Sequence, residues 1–217
     1  MSSQPEIDTT VPHSARIWNF LLGGVDNYPV DRQAGEGIFT VFPGMVAMAR
    51  QSRRMLRRVV RHLAGEAGVR QFLDIGTGLP TMDNTHEIAQ RLAPASRTLD
   101  HGEPVALMLM GILGLVGDYD QARSIVGRLM AALPSGSHLA VCDGTDSDPA
   151  YTDAIRTCNS ASGAVPYIPR TQEQIAGYFD GLELLEPGVV PVTRWRPDPG
   201  QEDVPEVSCS GGLARKP

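Results

Sequence analysis

The sequence predicts an α/β protein: a mostly parallel sheet layered with helices, closed by an antiparallel strand pair and preceded by an all-helical segment. Three observations carry this. Apolar strand-like runs alternate with helical spacings from residue 71 to about 162. The stretch from Gln71 to Leu79 reads as a strand covered on both faces, ending in an acid and a Gly-x-Gly turn. A strand–loop–strand pattern finishes the chain.

The elements follow in order. His13 to Leu22 carries Ala15, Ile17, Trp18, Leu21 and Leu22 at helical spacing and stops at Gly23-Gly24. A second helix starts near Pro29-Val30-Asp31 and ends before Pro43. A long third helix, about 44–66, places Met48, Ser52, Met55, Leu56, Val59, Val60 and Leu63 on one face. Strand 71–76 leads to helix 81–93, strand 104–112 to helix 119–133, and strand 138–143 to helix 149–162. Thr171-Gln172-Glu173-Gln174 forms a capping box for a helix ending near Asp180-Gly181. Strands at 183–192 and 207–214 flank the loop from Arg196 to Asp203. The division is a helical cap over 1–70 and a sheet domain over 71–217, in one compact unit.

Composition narrows the function classes. A net charge of −6 argues against general attraction to nucleic acid or anionic membrane. No apolar run is long enough to span a bilayer, and the N-terminus lacks the pattern of a signal peptide. Cys142, Cys158 and Cys209 are odd in number and far apart in sequence, giving neither a disulfide framework nor zinc-ligand spacing; a reducing cytoplasm is the expected setting. Arg50, Arg53, Arg54, Arg57, Arg58 and Arg61 flank the apolar face of the third helix without interleaved aromatics and read as a solvated rim. Trp18 and Trp195 read as packing residues.

Asp74 decides which ligand the glycine turn takes. Gly76 and Gly78 permit a sharp turn and close backbone approach, and free N–H groups at a helix start favour an anionic group. A dinucleotide would place its pyrophosphate there, and Asp74 would repel it. The spacing also departs from G-x-G-x-x-G, with Thr81 at the third position. A ligand carrying an ammonium beside a carboxylate has the opposite need: Asp74 pairs with the ammonium while the turn N–H groups take the carboxylate or a ribose oxygen. S-adenosylmethionine (AdoMet) is such a ligand, its sulfonium adding positive charge. The plainer alternative is an ordinary strand-to-helix turn with a capping carboxylate.

The Asp-x-Gly-x-Gly strand end, the βα alternation and the terminal strand pair resemble the Rossmann-like fold of AdoMet-dependent methyltransferases. Several segments resemble, more narrowly, an actinobacterial family of such enzymes first catalogued as a domain of unknown function. These are Val11 to Asn19 with Leu22 to Tyr28, Gln71 to Thr81, Asp83 to Glu87, Gly181 to Val190, and Arg194 to Pro197. The resemblance implies AdoMet as cofactor, a small-molecule methyl acceptor of unassigned identity, and an N-terminal segment folded over the pocket as a lid. It places Asp74, Gly76, Thr77 and Gly78 at the cofactor. Asn84 and His86 lie on the first turns of the next helix, where capping and solvent exposure are the alternatives. In the lid, Arg16 would hold the methionine carboxylate, or else form a surface salt bridge. Asp26 accompanies it, and Tyr28 would stack on the cofactor, or else pack. Met110 and Gly111 end the strand next to the first one, where ligand and acceptor meet by the switch-point rule. The segment Gly114-Leu115-Val116-Gly117 lacks the histidine that relatives often carry there.

The chain also departs from that pattern. Such folds place two more parallel strands between the glycine turn and the strand at 104, the first ending in an acid for the ribose hydroxyls. Here about 25 residues separate Leu79 from Pro104, and one βα unit alone takes roughly 30. The seam falls at Arg97–Thr98. Either the strands are lost, leaving strand 71–76 as an apolar edge, or a segment is omitted. The expected function is methyl transfer from AdoMet. The alternatives are a non-catalytic methyltransferase-like binding protein, dimerising through the edge strand, and a nicotinamide-dependent reductase, which Asp74 opposes.

Overall fold

A computed structural model describes residues 7–79, 84–92, 99–100, 102–161 and 164–217. Three helices come first: α1 (Ser14–Leu21), α2 (Pro29–Val41) and α3 (Met45–Gly65). The alternating part follows as β1 (Gln71–Asp74), α4 (Thr85–Leu92), β2 (Val105–Met110), α5 (Tyr119–Ala131), β3 (His138–Gly144) and α6 (Pro149–Ala161). The chain ends with α7 (Gln172–Ala176), β4 (Glu183–Leu184), β5 (Val190–Pro191) and β6 (Cys209–Arg215).

The sheet runs β1-β2-β3-β6-β4, with β5 also pairing β6. β1, β2 and β3 are parallel, whereas β6 is antiparallel to β3, β4 and β5. The expected strand 183–192 is thus two short strands, split where the Glu186–Pro187 bond is cis and Gly188 has a φ of 87°. The expected capping box is present, Thr171 accepting from Gln174 N while the Gln174 side chain accepts from Thr171 N.

Alternation along the central strands sorts the core into two layers. Ala106 and Met108 of β2, Ala140 and Cys142 of β3, and Leu213 of β6 face α3 and the N-terminal helices. Val105, Leu107 and Leu109, with Leu139 and Val141, face α5, α7 and Tyr178 on the other side. Period-two side chains on strands buried on both faces give this near-continuous apolar reading. Trp195 is fully buried and Trp18 packs against the same core as α3, so both tryptophans pack as expected.

β1 corrects one expectation. Gln71 is buried, but Phe72, Leu73 and Asp74 are only half-buried, so the strand is not covered on both faces. Its parallel pairing with β2 uses alternate residues, with Ile75 N donating to Met108 O at 3.0 Å. The main-chain groups of Phe72 and Asp74 therefore point outward, and among the described residues no strand lies beside them. The Gln71 side chain ties the returning chain to this edge: Nε2 donates to Asp100 O (2.9 Å) and Glu103 O (3.1 Å), and Oε1 accepts from Asp100 N (2.5 Å). The Arg97–Thr98 seam and the expected helix start at Thr81 lie outside the described residues.

The arginine rim of α3 is also only partly a rim. Arg50, Arg54 and Arg61 are exposed, but Arg53 and Arg58 are buried. Arg58 donates to Trp195 O (2.9 Å) and Val192 O (2.5 Å), tying α3 to the chain after β5. Cys142 and Cys209, distant in sequence, are neighbours on the paired strands β3 and β6, and the nearby Cys209 thiol together with burial pushes the Cys142 thiol up.

At the start of α2, Asp31 is fully buried and holds the N-terminal helices together. Its carboxylate accepts from His13 N (2.9 Å) and Tyr28 N (2.9 Å) and pairs with Arg16 Nε at 2.8 Å. Burial alone would raise this carboxyl, but the two N–H donors and the guanidinium prevail and hold it below its ordinary range. Such a group stabilises the fold above the ordinary carboxylate range, and the gain disappears as pH falls through the depressed value. Replacing Asp31→Ala removes a cap and a mostly buried ion-pair partner, so urea unfolding at pH 7 should show a loss of roughly 2–4 kcal/mol. That loss should shrink when the titration is repeated in acid.

Candidate functional site

The carboxyl ends of β1, β2 and β3 lie side by side because the strands are parallel and in register, Asp74 opposite Met108 and Met110 opposite Cys142. Asp74, Met110, Gly111 and Asp143 therefore share one end of the sheet. Ligands of open parallel sheets collect at this end.

Asp74 leaves β1 with its side chain turned toward α4. Oδ2 accepts from the Thr85 hydroxyl at 2.5 Å. Oδ1 is buried with no hydrogen-bond partner. Burial pushes the carboxyl above its ordinary value, against lowering by Thr85, Thr77 and the Arg53 charge. An unpartnered buried carboxylate oxygen costs on the order of 1–3 kcal/mol or more until a donor arrives.

The turn after Asp74 depends on its glycines. Gly76 and Gly78 have φ values of 77° and 73°, where a side chain is strained. A Cβ on Gly76 would also run into the Ile112 side chain. Arg53 comes from α3 beneath the turn and donates from Nη2 to Thr77 O at 3.3 Å. Gly111 follows β2, its N–H donating to Cys142 O at 2.7 Å, with nothing within 4 Å of where a Cβ would stand.

The remaining predicted site residues divide. Asn84 is buried at the start of α4, and its carbonyl accepts from Ile88 N at 3.1 Å. His86 faces solvent. Arg16 is paired with Asp31, donates to Val11 O at 2.6 Å, and lies 5.2 Å from the Tyr28 ring centre. Asp26 is exposed and Tyr28 is 36% exposed. The structure thus gathers Asp74, Gly76, Thr77, Gly78, Met110 and Gly111 at the strand ends with Asn84 on the adjoining helix. Arg16, Asp26 and Tyr28 sit in the N-terminal segment, with Arg16 directed at that segment's own groups.

Sequence reasoning missed three contributors. Arg53 has a signal in hindsight: Ala49, Arg53, Leu56 and Val60, spaced four, three and four, are all buried. Thr85 opens α4, seven residues after Gly78. Asp143 ends β3 as Asp74 ends β1, and it is buried. Its Oδ2 accepts from Gly114 N at 3.0 Å and its Oδ1 from the Tyr167 hydroxyl, which in turn accepts from Gly144 N at 2.8 Å. Arg170 braces the adjoining turn, donating to Val116 O (2.6 Å) and Gly117 O (3.1 Å). This constellation fixes the 3-10 turn Leu113–Leu115 and the segment around Tyr167 over the end of β3.

Burial pushes the Asp143 carboxyl up to about 6, despite the Tyr167, Gly114 and Gly144 donors. A raised carboxyl costs stability when ionised, so this contribution worsens as pH rises from the ordinary value toward 6 and is complete above it. The shift is about two units, or about 3 kcal/mol at 1.36 kcal/mol per unit. The stability of the parent relative to Asp143→Asn should therefore fall by up to about 3 kcal/mol between pH 4 and pH 7. Paired urea titrations across that range measure it; a constant difference contradicts the assignment.

A sequence model described as S-adenosyl methyltransferase matches residues 1–99 and 95–217. The two stretches overlap at 95–99, across the Arg97–Thr98 seam. A DUF574-family protein of Streptomyces avermitilis is similar in structure, with a TM-score of 0.91 and 36% identity over 98% of this chain and 100% of that one. A Thermobifida fusca protein assigned by inference to the methyltransferases has a TM-score of 0.88 and 32% identity, covering 99% of each chain. No curated protein matches. With near-complete coverage at these identities and a family match along its length, the chain belongs to the S-adenosyl methyltransferase family, whose cofactor is S-adenosylmethionine.

Proposed function

We propose that this protein transfers a methyl group from AdoMet to a small-molecule acceptor held over the carboxyl ends of β1 and β2. The observation that carries the reading is Asp74 Oδ1, a buried carboxylate oxygen without a donor at the glycine turn. It fits the methionine end of AdoMet: Asp74 would take the ammonium, and the turn around Gly76 and Gly78 offers main-chain N–H groups to a carboxylate or ribose oxygen. Bound AdoMet supplies a methyl group already activated on a positively charged sulfur.

The chain's own part is positioning. Arg53 under Thr77 O and Thr85 on Asp74 hold the turn and the carboxylate in place. Gly111 leaves open space beside Met110 where a second ligand can approach. Holding two reactants in line is itself worth several powers of ten in rate. No histidine stands in the segment Gly114–Gly117 just beyond β2, so the acceptor either needs no base or uses one from another element. Cytoplasmic placement suits three cysteines that form no disulfide, and the acidic net charge suits a small acceptor better than a nucleic acid.

A second reading has its own support. β1 has no outer neighbour among the described residues, and the family match is split where two acid-bearing strands are expected. The adenosine half of the site would then be incomplete, leaving a non-catalytic AdoMet-binding protein that dimerises through β1.

Calorimetric titration with AdoMet and with NADH, followed by methyl-release assays over a panel of hydroxyl, amine and thiol acceptors, separates these. Micromolar AdoMet binding with turnover is expected for the enzyme. AdoMet binding without turnover, together with a dimer in sedimentation, favours the second reading. NADH binding with none for AdoMet contradicts both.

A further inference from the structure

Outside the strand-end site, α3 and the chain after β5 enclose a second pocket of about 300 Å³. That is roughly ten water volumes, enough for a small ligand rather than one ion. Its lining includes Gln51, Arg54, Arg57, Arg58, Thr193 and Gln201. Three guanidinium groups, those of Arg54, Arg57 and Arg58, line it, and that of Arg61 adjoins them through Asp198. The carboxylate among them is Asp198, which bridges Arg57 at 3.0 Å and Arg61 at 2.6 Å. In a chain whose net charge is −6, this is a local surplus of positive charge.

Hydrogen-bond demand points the same way. Arg57 spends Nη2 on Asp198, while its Nε is buried with no acceptor. Thr193 is 2% exposed and its hydroxyl has no partner. Arg54 reaches Gln201 Oε1 at 2.9 Å, a neutral acceptor that an anion can displace. Arg58 is held by Val192 O and Trp195 O, so it stands as a fixed charge behind the pocket. Donors without acceptors, converging where cations outnumber anions, form a binding site for an oxyanion.

We propose that this pocket binds the phosphoryl group of a soluble small molecule, received by Arg54 and Arg57 and the Thr193 hydroxyl. A doubly charged group answers the surplus better than a carboxylate, and the concave shape admits a small molecule more readily than a membrane surface. The site is independent of the glycine turn and of whether the chain transfers methyl groups.

The test uses the full chain and inorganic phosphate, with chloride at matched ionic strength as the control. Calorimetry should show saturable phosphate binding, and the melting midpoint should rise in phosphate but not in chloride. Arg54→Gln, which leaves the Asp198 bridges intact, and Arg57→Gln should each weaken binding by about tenfold or more, the loss of a charge-assisted bond. Asp198→Asn should tighten it, which loss of a purely structural contact would not do. If Arg57→Gln fails to fold, Arg54→Gln and Asp198→Asn decide. Phosphate behaving as chloride does, or both arginine variants binding as the parent does, overturns the proposal. So does co-sedimentation with phosphatidylglycerol vesicles that free phosphate does not compete away.

Discussion

A carboxylate taken out of water, with one oxygen satisfied and the other waiting, is the constraint around which this molecule is arranged. Asp74 receives the Thr85 hydroxyl on Oδ2 and nothing on Oδ1. Burial disfavours its charge, while the charge of Arg53, which also donates to Thr77 O, favours it. The protein thus keeps an anion ready without neutralising it. Under the proposed function, that cost would be recovered when a cationic ligand group arrives, the usual relation between a functional site and local stability. A pyrophosphate at the same turn would deepen the cost.

Helix α3 carries much of the arrangement. One side of it buries Ala49, Leu56 and Val60, with Arg53 in the same stripe reaching under the glycine turn. Arg58 fastens the helix to the chain after β5, and Arg54, Arg57 and Arg61 gather at the opening beside Asp198. One helix therefore serves the core, the glycine turn and a cationic pocket. Replacing its arginines as if they were equivalent would mix three different effects.

Much of the architecture was legible because it rests on local rules. The continuous apolar runs at 105–110 and 139–142 and the helical spacing of α3 are patterns that burial imposes on any sequence. The capping box at Thr171 and the acid before Gly76 are equally local. What escaped is tertiary. Nothing near Glu183 announces that β6 will insert between β3 and β4, or that the strand will break at Pro187. The arginines of α3 look alike in sequence and are told apart only by what α3 faces. Asp143 reads as the end of a strand until Tyr167 and Gly114, each more than twenty residues away, close on it. The half-exposure of β1 follows from what lies beside it in space, which the apolar run alone does not specify.

The central claim is that Asp74 selects the ligand through its ammonium group. A double cycle tests this most directly: binding of AdoMet and of its deaminated analogue, each to the parent and to Asp74→Asn. The parent should prefer AdoMet by about tenfold or more, the worth of a charge-assisted bond, and that preference should collapse in the variant. Equal binding of the two ligands by the parent, or an undiminished preference in the variant, would contradict it.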